Sequence, residues 1–166
     1  MRTMSLKNLA SLSVAIMMIG AVCFSGAAIA QSSAPNAGSA PIMVVITGFP
    51  DTVGRASCGL YNQANGWATD KNVFMNATAP ISGSTATCTF NNVPTGTYAV
   101  AFFHDRNMNN KMPKNFIGIP QAGYGFSNNA KPRGFGPPSF SNASFSHDGS
   151  QPTTIDVKLQ QWTSAL

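Results

Sequence analysis

The stretch Tyr98-Ala99-Val100-Ala101-Phe102-Phe103-His104 constrains this chain more than any other. It reads as a strand without alternation: Tyr98, Val100 and Phe102 share one face, while Ala99, Ala101 and Phe103 share the other. A strand apolar on both faces has to be covered on both. A second sheet supplies one cover. The only material for the other is the long excursion that follows, from Arg106 to Gly149. Asn, Gly and Pro are too frequent there for a helix, and no i, i+3, i+4 apolar stripe survives. A structureless segment of that length does not suit a compact domain. Phe116, Ile117, Ile119, Tyr124, Phe126, Phe135, Phe140 and Phe145 are spaced so that it can pack down, with short strands expected near 116–119 and 143–146.

The rest of the chain supplies strands of ordinary kind. Ile42 to Thr47 is β-branched and ends at the turn Gly48-Phe49-Pro50-Asp51. Arg55 to Tyr61 places Cys58 and Leu60 on one face and Ser57 and Gly59 on the other. Residues 62–72 read as a loop in which Trp67 lids one end of the core. Val73 to Thr78 is a short edge strand stopped by Pro80. Thr85 to Phe90 alternates, with Ala86, Cys88 and Phe90 inward. Before Tyr98, the run Pro94-x-Gly96-x-Tyr98 matches a corner in which a tyrosine at a strand start bonds back to the preceding turn. Thr153 to Leu159 closes the fold with Ile155, Val157 and Leu159 inward. About seven short strands and no substantial helix predict an all-β antiparallel sandwich with one long Gly/Pro/aromatic excursion packed on a sheet.

The first thirty residues read as an export signal. Arg2 and Lys7 form the basic region, Val14 to Phe24 the apolar one, and Ala28-Ile29-Ala30 the small-x-small cleavage pattern, so the mature chain is expected to start near Gln31. An uncleaved anchor and a lipoprotein attached at Cys23 are the alternatives. The domain organisation follows: a signal peptide at 1–30, a flexible tail at 31–41, one domain at 42–160 and a short tail at 161–166. The expected location is periplasmic or secreted. Cys58 and Cys88 are the cysteines that remain, and an even count in an exported chain points to a disulfide. Two buried thiols or a pair of soft-metal ligands are the competing readings. Glu is absent and only 9% of residues are charged. Removing Arg2 and Lys7 leaves eight basic against five acidic residues, too weak and dispersed a charge for nucleic acid. The same basic excess suits proximity to an anionic envelope surface.

Five ordered motifs carry a family resemblance: Pro94-x-Gly96-x-Tyr98, Phe103-His104-Asp105, Phe116-Ile117-Gly118-Ile119-Pro120, Gly123-Tyr124-Gly125-Phe126-Ser127-Asn128-Asn129, and Phe135-Gly136-Pro137-Pro138. Over about Ile42 to Leu159 the chain resembles the domain of unknown function 2141 family of exported bacterial proteins. The resemblance implies a secreted or periplasmic β-sandwich, immunoglobulin-like or transthyretin-like, and assigns no activity. It also implies that in many members the turn after His-Asp continues as a calcium-type loop. Here that turn, Asp105-Arg106-Asn107-Met108-Asn109-Asn110-Lys111-Met112-Pro113-Lys114, holds one carboxylate and three cations, whereas Ca²⁺ takes six to eight oxygens and several negative charges.

Two kinds of site are therefore expected on the 104–140 surface. A ligand or envelope component would meet His104, Asp105, Tyr124, Phe126, Asn128, Asn129 and Phe135, with glycines allowing close backbone approach. A weak metal site would use His104, Asp105, Asn107 and Asn109, or a Cu(I) set of His104, Met108 and Met112 with Met75 and His147 elsewhere. His104 and Asp105 are adjacent and point to opposite faces of a strand, and no catalytic motif occurs, so no catalytic residue and no enzyme is expected. No cofactor is expected, and the protein is expected to be a monomer.

Overall fold

The computed structural model describes residues 38–134 and 136–161. The export signal, Cys23, most of the expected tail, Phe135 and Trp162 lie outside the described residues. Eight strands occur among those described: β1 (Ser39–Thr47), β2 (Arg55–Tyr61), β3 (Met75–Pro80), β4 (Thr85–Pro94), β5 (Gly96–Asp105), β6 (Tyr124–Phe126), β7 (Phe145–His147) and β8 (Thr153–Lys158). A 3₁₀ turn at Ser127–Asn129 and a single helical turn at Phe140–Ala143 are the helical pieces among them. The smaller sheet runs β4-β1-β8 and the larger β3-β2-β5-β6, with β7 also paired to β5. Pairings are antiparallel except for β1 with β8, which run parallel. The chain is an all-β sandwich, as its strand pattern predicts.

The core lies between the sheets. β1 contributes Ile42, Val44 and Ile46, β4 contributes Ala86, Cys88 and Phe90, and β5 contributes Tyr98, Val100 and Phe102. This is the period-2 burial that alternating strands impose. Cys58 on β2 and Cys88 on β4 are joined by a disulfide that ties one sheet to the other, with Cα atoms 6.6 Å apart. A bridge over a separation of 30 residues stabilises the fold by about 3–4 kcal/mol in the chain-entropy account. The tyrosine corner is present: Tyr98 Oη donates to the Pro94 carbonyl at 2.9 Å.

The other face of β5 is covered by the excursion. Tyr61, Trp67, Ala99, Tyr124, Phe126 and Ala143 form a second buried cluster, with Phe103, Met112 and Phe140 packed against it. Trp67 donates Nε1–H to the Pro138 carbonyl at 2.8 Å and meets Tyr61 edge-to-face, ring centroids 5.1 Å apart. β5 is spliced along its free edge by three short pieces. β7 pairs Gly96 to Tyr98, β6 pairs Ala101 to Phe103, and in the gap the Val100 N–H donates to Ser127 Oγ at 2.8 Å. Ser127 is fully buried and its Oγ–H donates a hydrogen bond to the Ala143 carbonyl at 2.5 Å.

Part of the excursion does not pack. Phe116 is 98% exposed and Ile117 63%, where burial and a strand were expected. The physical reason is a tight turn: Gly118 N–H bonds the Asn115 carbonyl, and Asn115 Oδ1 accepts from Ile117 N–H and Ile119 N–H. So closed a loop leaves its tip no surface to fold back onto.

Candidate functional site

The turn after β5 is held by Asp105. Its carboxylate is 1% exposed and accepts three N–H groups: Arg55 Nε at 3.1 Å, Asn109 N at 3.1 Å and Asn110 N at 2.9 Å. Arg55 also donates to the Met108 carbonyl and to Asn110 Oδ1. The short-range Asp and Asn bonding that such a turn sequence favours is therefore what closes it. His104 leaves the strand on the opposite face. It packs edge-on against Phe49 at 5.2 Å, and its Nε2–H donates to the Val53 carbonyl at 2.7 Å.

These placements bear on the residues considered for a metal. His104 and Asp105 face apart, Asn107 is exposed, and Asn109 Oδ1 accepts from Lys111 N–H. A cation at Asp105 would have to displace a guanidinium. Of the Cu(I) set, Met108 is 62% exposed while Met112 packs on the outer cluster, away from buried His104. Among the described residues no three His, Cys, Asp or Glu side chains come together. The oxygen set that a calcium loop requires does not fit this turn.

A groove of about 700 Å³ lies instead over the outer face of the larger sheet. Strand register builds its floor as two cross-strand rows. One row runs Thr78, Ser57, Phe103, Tyr124, and the next runs Asn76, Gly59, Ala101, Phe126. Paired residues share a face, so the β3 side of the floor is polar and small while the β6 side is aromatic. Met112, Lys111 and Lys114 stand along one wall and Asp70 along another. A Cβ at Gly59 would press on the Tyr61 ring at 3.0 Å, so the ring would have to give way to any larger residue there. Gly125 is required from below, since its Cβ would overlap the Phe102 ring.

Burial acts on both phenols that border the groove. The Tyr61 hydroxyl donates to the Thr69 carbonyl at 2.8 Å; desolvation, with Asp70 nearby, pushes its pKa up to about 12. Burial also raises the pKa of Tyr124. Both phenols stay protonated at neutral pH.

Of the residues expected to meet a ligand, Tyr124 and Phe126 reach the groove. His104 and Asp105 stand at the strand end and serve the turn. Asn128 donates to the Ser144 carbonyl at 2.8 Å. Asn129 accepts from Lys158 N–H at 2.8 Å and donates to the Asp156 carbonyl, capping the edge of β8 as a strand would. Phe135 lies outside the described residues. Sequence reasoning missed Ser57, Asn76, Thr78, Ala101 and Phe103 as groove residues. The available signal was the small, polar outer face of β2, Ser57 and Gly59, which leaves Ala101 and Phe103 without a large neighbour on that side.

One comparison with known proteins is positive: the model of a family described as an uncharacterized protein conserved in bacteria, DUF2141, matches residues 44–156. No curated protein and no solved structure matches the chain.

Proposed function

The chain belongs to the bacterial DUF2141 family, and on that premise we propose that it is an exported, non-enzymatic binding module of the cell envelope, acting as a monomer. Its ligand occupies the groove on the outer face of the larger sheet. The observation that carries the reading is the half-buried floor itself. Ala101 and Phe103 lie at the centre of a sheet, where a strand is ordinarily covered, yet they line an open groove. The floor suits a ligand with an apolar face for Phe103, Tyr124 and Phe126 and hydroxyl or amide groups for Ser57, Asn76 and Thr78. Saccharides and short peptides have that character. The binding role is favoured over catalysis because both histidines are turned inward. His104 donates to the Val53 carbonyl and His147 to the Val93 carbonyl.

Screening the purified protein against an array of envelope glycans and peptides tests the reading. Retention by wild type and loss of at least about tenfold in Ala101→Trp is the expected result, since steric filling of a groove removes its contacts. Retention unchanged in Ala101→Trp would refute it. Location has its own check: the protein recovered from the cell should begin near Gln31.

A further inference from the structure

We infer that the hairpin at residues 113–121 is a docking tip for an anionic lipid surface. The hairpin is closed by pairing of Lys114 with Pro120 and by Gln121 N–H on the Pro113 carbonyl. Its tip, Phe116 and Ile117, is 98% and 63% exposed. Single exposed apolar residues are ordinary on protein surfaces, but a wholly exposed Phe beside an exposed Ile is a cluster. It is also held rigid, because the Asn115 side chain bonds two backbone N–H groups of the turn. A preformed tip loses little conformational freedom on insertion.

Neighbouring turns extend the same apolar end. The turn before β2 exposes Val53 and the turn after β5 exposes Met108. Both leave the end of the sheet where Arg55 pairs with Asp105, and the hairpin returns there, since His104 N–H bonds the Gly123 carbonyl. Charge at this end is one-sided. Arg55 is paired with Asp105 and Arg106 with Asp51, while Lys111 and Lys114, flanking the tip, have no carboxylate partner among the described residues. Apolar tips between free lysines match the layered chemistry of a bilayer interface: acyl boundary below, phosphate above. The chemistry requires an anionic headgroup and names no particular lipid.

Cosedimentation of the purified protein with vesicles tests this. One set contains equal parts phosphatidylglycerol and phosphatidylcholine; the other is phosphatidylcholine alone. Wild type should sediment with the first set, at least about tenfold better than with the second, and added salt should weaken the binding. Phe116→Ser with Ile117→Ser should reduce sedimentation at least about tenfold with an unchanged melting temperature. Lys111→Gln with Lys114→Gln should remove the salt-sensitive part. Three results overturn the inference: no sedimentation of wild type with anionic vesicles, full binding by the serine variant, or a tip-dependent dimer or protein complex in place of vesicle binding. Because Phe116 and Ile117 do not line the groove, the serine variant leaves it intact, and failure here is distinct from failure of the groove reading.

Discussion

Ala99 and Ala101 stand two residues apart on one face of one strand, in opposite surroundings. Ala99 is wholly buried, paired across β2 with Tyr61 in the cluster around Trp67 and Ala143. Ala101 is paired with Gly59 and lies on the floor of the groove. Nothing in the two side chains distinguishes them. What differs is how far the chain covers each: Ala99 is sealed within the cluster around Trp67, whereas Ala101, between Gly59 and Phe126, sits half-buried at the margin of that cluster. The outer face of the larger sheet is thus divided into a half that is sealed into the core and a half that opens on the groove.

The largest test of that division is Trp67→Ala. Trp67 touches Tyr61, Phe126 and Phe140 and donates a buried hydrogen bond, so truncation should cost about 3–5 kcal/mol in urea unfolding. A loss below about 1 kcal/mol would mean the cover is not part of the core. Ser127→Ala comes next. It leaves the buried Val100 N–H and Ala143 carbonyl unpaired, and should cost about 1–3 kcal/mol. Hydrogen exchange at Val100 should quicken with it by local opening, whereas exchange at Val44 between the sheets should quicken only as far as global stability falls.

The smallest effect is a pH dependence at the boundary between the halves. The Tyr61 phenol titrates near 10 when unfolded and about 12 when folded. The folded chain then holds the proton longer, so stability due to this group is complete below pH 10 and falls as pH rises from 10 towards 12. Tyr61→Phe should flatten that alkaline decline while costing about 1 kcal/mol at neutral pH through the lost bond to Thr69. An unchanged alkaline slope in Tyr61→Phe would show that the phenol is not in the buried half.

Much of this division was legible in the residues. An unbroken apolar strand at 98–104 demands a second cover, and the excursion provides it. Alternation placed Cys58 and Cys88 inward, and they are bridged. The Tyr98 corner follows from Pro94-x-Gly96-x-Tyr98 and closes as expected. β7 falls at the short strand expected near 143–146, whereas β6, at three residues, was less legible because so short a run cannot display a period. Asn128 and Asn129 look like ligand contacts in sequence, yet their amides substitute for backbone partners in the turn and along β8. Phe116 and Ile117 look like core from composition alone; only the closure of their turn reveals that they face out. The groove floor was hidden because it is assembled across strands, and register is not visible in a single segment.

The most direct measurement is a pair of unfolding curves, for Ala99→Trp and Ala101→Trp. If the outer face is half core and half groove, the first should be strongly destabilised by overpacking, by about 3 kcal/mol or more, and the second should stay within about 1 kcal/mol of wild type because its indole enters open space. Equal destabilisation of the two variants would contradict the account, since it would mean that the floor around Ala101 is as closed as the cluster around Ala99.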